Sequence, residues 1–498
     1  MFRKKCPLFV PSSGTGQFLR TGIGLQAFLA SCFIVKHYEM HIEKRETIIL
    51  TSTRGMAHAL ARRFGVRSAS ASEIVTRKGT RILWSGGPLL RHCTPGEYRP
   101  RWKDYRLSDL PILPDFRLKP IASARDRIKA IQDALSACDQ IIHAGSPDAG
   151  GQFGIDALLD HLDWKGAVQR MPLPSLHPED ISEARPESNT PYRAWTESEK
   201  CRMHADWLIG INLSRMLTLT ANQSTPIPAG RVMTPLLALI HDRASTQSPK
   251  SESVITPFDT AHLQAACLRS AGTSPEKTLM AAQNLYEAGL ISYPFTNHKK
   301  LNPALWSAHH AFPVDPHQVE PAVTAHAGGL QILGMPKRPL KPDEQTVFEA
   351  ILARESQLRQ ESSRQGCTRQ TAHHTQSTHA LAALYEDMAD LRRWVASPEL
   401  RARADDSIQL GTPRSRHTML AKVFEEGFVK PSSLRITQKG ESVLARVPPS
   451  MLDPGTIILW ESAISAVAQG SLDADAFMRR IQNYVGSLLQ ETQRRKAC

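Results

Sequence analysis

One turn in the sequence gathers residue types that ligand-binding sites use. Residues 145–152 read Gly-Ser-Pro-Asp-Ala-Gly-Gly-Gln and directly follow the run Gln140 to Ala144, which is typical of a buried strand. A helical pattern follows the turn. Because α/β sheets bind ligands at the carboxyl ends of their parallel strands, the turn indicates a ligand site, although a plain connecting loop has the same composition. Asp148 is the one carboxylate in the turn.

The cysteine spacing argues against a zinc ribbon. The eight cysteines are scattered, and no two of them have the Cys-x2-Cys spacing that such sites use. Scattered cysteines in a long chain are typical of reduced, buried thiols, so we expect a cytoplasmic protein. No metal site is predicted from these residues.

The charge balance favours a polyanionic partner. The chain has 61 Lys and Arg against 48 Asp and Glu, which gives a net charge of +13. Each cation placed on a phosphate releases a condensed counterion, so this excess favours nucleic acid, without distinguishing DNA from RNA. The alternative is a basic but otherwise ordinary protein. The apolar run from Ile23 to Val35 is too short for a bilayer, which needs about 20 residues, so no membrane partner is expected.

The elements around the turn predict an α/β layer followed by helices. Thr47–Ser52 and Arg81–Trp84 are short β-branched or apolar runs that predict further strands. At 498 residues the chain is long enough for about three domains. Helical patterns occupy residues 56–64, 124–138, 196–220, 259–272, 276–288, 342–358, 379–395 and 415–426, with a short strand predicted at Leu290–Tyr293.

About seven ordered blocks of the sequence, which together cover roughly residues 47–496, resemble type IA DNA topoisomerases of the topoisomerase III kind. The series is specific, since chance explains any one block but not their order. The blocks include Thr94–Tyr98, Leu107–Ile112, Ala205–Arg215, Gly230–Pro235, Leu290–Pro294, Thr324–His326 and Gly411–Arg416.

The resemblance implies a multidomain α/β + α fold. It combines a Toprim-like parallel α/β layer, a helical topoisomerase IA core and a winged-helix-like module. The expected segments are a poorly ordered N-terminal extension at 1–46, a Toprim-like domain at 47–180, the first part of a helical base at 181–258, a helical lid carrying Tyr293 at 259–362, a connecting segment at 363–410 and a winged-helix-like second part of the base at 411–498.

Two intervals predict that the family's β-rich arch is reduced or absent. In relatives the arch is built from insertions between the Gly-Arg-Val motif and the tyrosine, and between the Ala-His and Gly-Thr-Pro motifs. Here Arg231 and Tyr293 are 62 positions apart, and His326 and Gly411 are 85 apart. Both intervals are short for the strands of an arch, so the 363–410 segment is expected to replace it.

The resemblance assigns Tyr293 as the nucleophile that would attack a DNA phosphodiester and hold the 5′ phosphate. Because tyrosine has a pKa near 10, its attack needs a proton acceptor, cations on the developing charge and an acid for the departing 3′ oxygen. His326 is a second retained site residue. Tyr293 itself is open to two other interpretations, a core aromatic or a stacking platform for a base.

The Mg²⁺ ligands of the family are largely replaced. Relatives carry three Toprim carboxylates after the strand at 140–144, and the matching residues here are Ser146, Asp148 and Gly150. One carboxylate of three makes a poor site for a hard cation. Mg²⁺ is therefore expected of the family, but its site is predicted to be lost, and no cofactor is assigned.

The acid and cations that help the tyrosine are also replaced. Relatives have a glutamate and a lysine after the first strand, where this chain has Ser52 and Thr53. Relatives place an arginine two residues beyond the tyrosine, where this chain has Phe295. All of these replaced residues would assist the same reaction, the attack of the tyrosine on DNA.

Four retained arginines are candidate DNA-binding residues: Arg215, Arg231, Arg414 and Arg416. Each has an alternative as a structural cation or a helix cap.

Three functions follow. The first is a topoisomerase-like protein that binds single-stranded DNA with reduced or lost strand cleavage. The second is an active type IA topoisomerase that cuts and rejoins one strand through Tyr293. The third is a protein-interaction scaffold whose basic charge is incidental. The expected partner is DNA, preferentially single-stranded, and a protein partner remains open.

Overall fold

The computed structural model describes residues 47–245, 255–310, 328–361, 376–405 and 407–496. The predicted N-terminal extension and His326 lie outside these residues. None of the helices that the structure describes combines the length and the apolar character needed to cross a bilayer.

A seven-stranded sheet carries the predicted turn. Its strand order is β2-β3-β4-β1-β7-β8-β9, and the four central strands, β4, β1, β7 and β8, run parallel. The remaining pairs are antiparallel. The strands are β1 Thr47–Thr51, β2 Val66–Ala69, β3 Glu73–Thr76, β4 Arg81–Trp84, β7 Gln140–Ala144, β8 Ala167–Arg170 and β9 Glu187–Ser188, while β5 Leu90–His92 and β6 Leu118–Pro120 form a separate hairpin.

The sheet is covered on both faces, which explains why β1 is buried along its whole length. Successive side chains of a strand point to opposite faces. Accordingly, Ile48 packs with Ile128 and Leu158 in one core, whereas Ile49 packs with Leu60 in another. The helices of this layer are α1 Arg54–Phe64, α2 Pro95–Tyr98, α3 Arg125–Leu135, α4 Ala149–His161 and α5 Pro178–Glu183.

A third core, separate from the two cores of the sheet, joins the long helix in the middle of the chain to the C-terminal helices. Leu213 of α6, Leu236 of α7, Tyr385 of α12 and Val485 of α18 all belong to it. The segment predicted as a connector, 363–410, therefore supplies a core helix. The helices are α6 Arg193–Thr220, α7 Met233–Ser245, α8 Thr260–Ala271, α9 Pro275–Glu287, α10 Pro303–His309, α11 Pro342–Glu361, α12 Gln376–Ala389 and α13 Pro398–Arg403.

The C-terminal region contains the predicted helix and wing. A two-stranded antiparallel ribbon follows α14, and it pairs Val429 with Ile436 and Lys430 with Arg435. The elements are α14 Arg416–Glu425, β10 Val429–Lys430, β11 Arg435–Ile436, α15 Gln438–Arg446, α16 Pro449–Leu452, α17 Pro454–Ala468 and α18 Ala474–Lys496.

The strand predicted at Leu290–Tyr293 is wrong. Ile291 makes an isolated bridge with Ile332, while the Tyr293 N–H donates to Pro174 O across a different segment. The segment does not pair with a single strand, because the Ser292 N–H donates to Gln331 O and the Tyr293 N–H donates to a different loop. Among the described residues between 232 and 410, the β-structure consists of isolated bridges, and the reduced arch stays a prediction.

A buried ion cluster ties α6, the Gly-Arg-Val loop and α17 together. The Arg231 guanidinium contacts Asp206 at 2.5 Å and also Glu461, which accepts a second bond from Arg202 at 2.7 Å. Arg231 is 4% exposed. Burial alone raises the pKa of Glu461, but Arg202 and Arg231 outweigh it and bring the pKa down to about 2.

We predict that Arg231→Leu lowers the free energy of unfolding by about 3 kcal/mol, because Glu461 loses a partner while it remains buried. Urea unfolding at neutral pH measures the deficit. Arg479→Ala, at a position with a side chain 67% exposed, is the control and should change stability by less than about 0.5 kcal/mol.

The loss in the free energy of unfolding of Arg231→Leu should also depend on pH. The folded pKa of Glu461 lies below its ordinary value of 4.5, so its ion pairs stabilise the fold above pH 4.5 and lose that effect as the pH falls towards 2. The difference between Arg231→Leu and the native chain should therefore narrow at pH 3. An equal difference at both pH values would contradict this role for the cluster.

Candidate functional site

Parallel pairing brings the ends of β1 and β7 to one edge of the sheet. Thr51 is in register with Ala144, so the residues after each strand are neighbours. The Ser146 N–H donates to Ser52 Oγ at 2.9 Å. These two positions, where relatives carry acids, are here joined to each other by a neutral hydrogen bond.

Asp148 is held by the start of α4. One of its oxygens, Oδ1, accepts from the Gly151 N–H at 2.6 Å and caps the helix. A Cβ at Gly151 would approach Ser146 O to 2.4 Å, so the tight turn requires glycine there. Capping fixes the carboxylate and leaves Oδ2 directed away from the helix backbone.

A buried arginine lies beneath the turn, and sequence reasoning missed it. Arg170, at the end of β8, is fully buried and donates to the carbonyl oxygens of His143, Gly145, Ser146 and Met171 at 2.9–3.1 Å. These carbonyls are therefore used by a protein cation. The signal in the sequence was a lone arginine that ends a short strand.

Tyr293 contacts the 145–152 turn through its hydroxyl group. Its side chain is 2% exposed, and its hydroxyl donates to Asp148 Oδ2. Arg414 Nη2 donates to the same hydroxyl oxygen. Burial raises the pKa of Tyr293 well above its usual value, although the Arg414 charge opposes this shift. The structure thus brings together three of the residues that the sequence selected: Asp148, Tyr293 and Arg414.

The Arg414 guanidinium stacks on the residue that replaces the family's arginine. It lies 3.9 Å from the centroid of the Phe295 ring, and Nη2 is 3.4 Å from Asp148 Oδ2 and 3.3 Å from Ser146 Oγ. The side chain of Arg414 is 44% exposed, so part of it faces solvent. Its partners place a positive charge beside both the carboxylate and the tyrosine hydroxyl.

A second carboxylate reaches the site from α9. Glu287 Oε1 accepts from Thr53 Oγ1 at 2.5 Å and from Gln283 Nε2 at 2.7 Å. A Cβ at Gly55 would collide with this carboxylate, so α1 and α9 pack closely here. Glu287 was missed as a site residue, although it ends the helix that leads to Tyr293.

The residues present do not fit Mg²⁺. Position 150 is glycine, and Ser52 and Ser146 offer neutral hydroxyls. The one turn carboxylate, Asp148, already has a guanidinium against it. A hard cation prefers several anionic oxygens and would be repelled by that guanidinium.

Three of the four candidate DNA-binding arginines are buried in the protein, each at most 4% exposed. Arg215 donates to the carbonyl oxygens of Trp102 and Asp104 at 2.6 and 2.9 Å. Arg416 donates to Gln409 Oε1 at 2.6 Å and to Leu410 O at 3.2 Å. With Arg231 in its ion cluster, these side chains serve as structural cations here, which was the alternative interpretation of each. Of the four, Arg414 lies at the tyrosine.

Comparisons with known proteins agree with this geometry. A family model described as DNA topoisomerase matches residues 190–252 and 244–314, a span that includes Tyr293. DNA topoisomerase 3 of Vibrio cholerae serotype O1 is 34% identical over 172 residues, which is 32% of this chain and 27% of that protein. DNA topoisomerase 3 of Salmonella typhimurium is likewise 34% identical over 172 residues, 32% of this chain and 26% of its own length.

The matched segment spans about a quarter of the length of these relatives. A solved structure of full-length topoisomerase I from Thermotoga maritima is similar in fold, with a TM-score of 0.61 and 14% identity, and the likeness covers 89% of this chain and 90% of that one. The family match around the tyrosine, the similarity to DNA topoisomerase 3 and the shared fold together support a member of the type IA topoisomerase family.

Proposed function

We propose that this protein binds single-stranded DNA at the Tyr293 site and has reduced or lost Mg²⁺-dependent strand cleavage. The observation that carries the proposal is the contact of Arg414 with Asp148 and Tyr293. The Arg414 guanidinium occupies the position beside Asp148 at which a metal ion would need negatively charged ligands. The arrangement therefore does not support strand cleavage that depends on a bound metal ion.

The surroundings of Arg414 support an interaction with a DNA strand. The side chain of Arg414 is partly exposed, and its guanidinium lies against the Phe295 ring, close to Tyr293. Cations that follow the phosphates, next to aromatic rings on which bases stack, are the usual elements of single-strand binding. The net charge of +13 adds long-range attraction. The proposal includes a cytoplasmic location, which Cys93, Cys201 and Cys267 support because they form no disulfide.

A second candidate function is metal-independent cleavage through Tyr293. The hydrogen bond from Tyr293 to Asp148 favours it, since that carboxylate can accept the proton as the tyrosyl oxygen bonds to phosphorus. The bond from phosphorus to the 3′ oxygen would break, and the proton on Asp148 could then pass to that oxygen. Arg414 would offset the charge of the phosphorane. The raised pKa of Tyr293 opposes this reaction, because the hydroxyl holds its proton firmly.

We predict that the protein does not relax negatively supercoiled plasmid in a Mg²⁺-dependent manner. The positions that would hold the metal are Ser146 and Gly150, and the acid expected at position 52 is a serine. An agarose gel with and without EDTA measures the relaxation. Phe295→Arg alone should also fail to create activity, since the ligands and the acid remain missing. Relaxation at substoichiometric protein that EDTA abolishes would refute this prediction.

We predict that single-stranded oligonucleotide binds with a steep dependence on salt. Each neutralised phosphate contributes a log–log slope near −0.7 on single strands, so Arg414→Ala should weaken binding and make the slope shallower by about 0.7. Fluorescence anisotropy over a salt series measures both. Lys129→Ala removes an equal charge at a side chain 75% exposed on α3 and should leave the slope unchanged. Equal slopes for all three proteins would remove Arg414 from the binding site.

A denaturing gel with 5′-labelled and 3′-labelled single strands distinguishes the two candidate functions. Under the main proposal no covalent adduct forms, with or without EDTA. Under the second, an EDTA-resistant adduct forms, and Tyr293→Phe abolishes it, whereas Asp148→Asn slows it at least tenfold because the proton acceptor is lost. An adduct that persists in Tyr293→Phe would exclude this tyrosine as the nucleophile.

A further inference from the structure

A cluster of metal-ligating side chains lies apart from the tyrosine site. His177 precedes α5, Glu179 lies in its first turn, and His309 ends α10. One potential ligand atom from each residue lies within 4.8 Å of the others. The two imidazole rings meet edge to face, with centroids 4.7 Å apart. The chain thus brings two imidazoles and a carboxylate together from segments about 130 positions apart.

We propose that His177, Glu179 and His309 form a binding site for a divalent transition metal of the Zn²⁺ class, which joins the loop before α5 to α10. Two imidazoles and a carboxylate, with a fourth position left for water, are a common donor set for Zn²⁺. Tetrahedral ligands lie roughly 3.3 Å apart, so the cluster must contract, and the exposed Glu179 side chain is free to make that adjustment.

A buried nitrogen without a partner points to a ligand. Among the described residues, His177 Nδ1 is buried and has no hydrogen-bond partner. A buried polar atom that is left unpaired is costly, and a bound metal ion would satisfy it. This observation is independent of the clustering of the three residues.

The second histidine has the support that ligating imidazoles usually have. The side chain of His309 is 4% exposed, and its Nε2 lies 2.9 Å and 3.1 Å from the two oxygens of Asp180. Ser175 donates to the same carboxylate. A carboxylate on one ring nitrogen fixes the orientation and tautomer of the imidazole and leaves Nδ1 for a metal.

The position of the site indicates what the metal would do. Pro174 O accepts from the Tyr293 N–H at 3.0 Å, and a Cβ at Gly289 would approach Leu176 O to 2.6 Å. The loop that holds the tyrosine segment therefore leads directly into His177. A metal that fixes this loop to α10 would hold Tyr293 against the turn, and this consequence rests on the proposed DNA-binding function.

Metal binding to the full-length chain tests the site without DNA. The protein is stripped with EDTA and titrated with Zn²⁺, and in parallel with Co²⁺, whose visible absorption reports nitrogen and oxygen coordination. One equivalent should bind, and Zn²⁺ should raise the Tm. His177→Ala and His309→Ala should each lower the affinity at least tenfold, and Asp180→Asn should lower it about tenfold. His161→Ala, at an exposed position in α4, should bind as the native chain does.

Glu179→Gln keeps the test decisive if a buried histidine variant fails to fold, because position 179 is exposed. This variant should also bind Zn²⁺ at least tenfold more weakly while keeping its metal-free Tm. Absence of binding to the native chain overturns the proposal. So does binding that Glu179→Gln and His309→Ala leave unchanged, since the metal would then lie on other histidines. Failure of the single-stranded DNA experiments would leave this result unaffected.

Discussion

The contact between the Arg414 guanidinium and the Asp148 carboxylate links the turn after β7 to the Gly-Thr-Pro segment at the Tyr293 hydroxyl. Asp148 is fixed by the cap it provides to α4, so its free oxygen has one direction. Tyr293 and Arg414 both converge on that oxygen. A carboxylate that contacts both a phenol and a guanidinium is a poor ligand for a metal cation, because the guanidinium charge repels the cation.

The replacement at position 295 is structurally linked to that contact. The family resemblance predicts an arginine two residues beyond the tyrosine, and Phe295 occupies that position here. Its ring supports the guanidinium of Arg414, which comes from the Gly-Thr-Pro segment instead. A cation–π contact of this kind contributes about 0.5–2 kcal/mol and orients the charge. The positive charge beside the tyrosine hydroxyl therefore comes from Arg414, and Phe295 helps to orient it.

Sequence patterns predicted the parts of the fold that depend on local periodicity. The strands at 47–51, 81–84 and 140–144 and the long helix at 193–220 follow from apolar runs and helical spacing. The Arg414 contact did not follow, because it joins residues 266 positions apart through a fold that no local pattern specifies. The roles of Arg215 and Arg416 depend in the same way on which carbonyl oxygens the folded chain leaves buried.

Access to the Tyr293 hydroxyl is limited more by apolar packing than by a single backbone hydrogen bond. The backbone hydrogen bond of Tyr293 to Pro174 contributes about 0.5–1.5 kcal/mol. Tyr286, by contrast, is fully buried in the same core as Leu60 of α1, and burying one such side chain contributes about 1.5–3 kcal/mol. Because several side chains of α9 share this core, separating the tyrosine segment from the sheet exposes apolar area that no single polar contact offsets. A ligand that reaches the buried hydroxyl must therefore supply enough binding energy to offset the exposure of this apolar area. A phosphate that binds the exposed part of the Arg414 side chain does not expose that area.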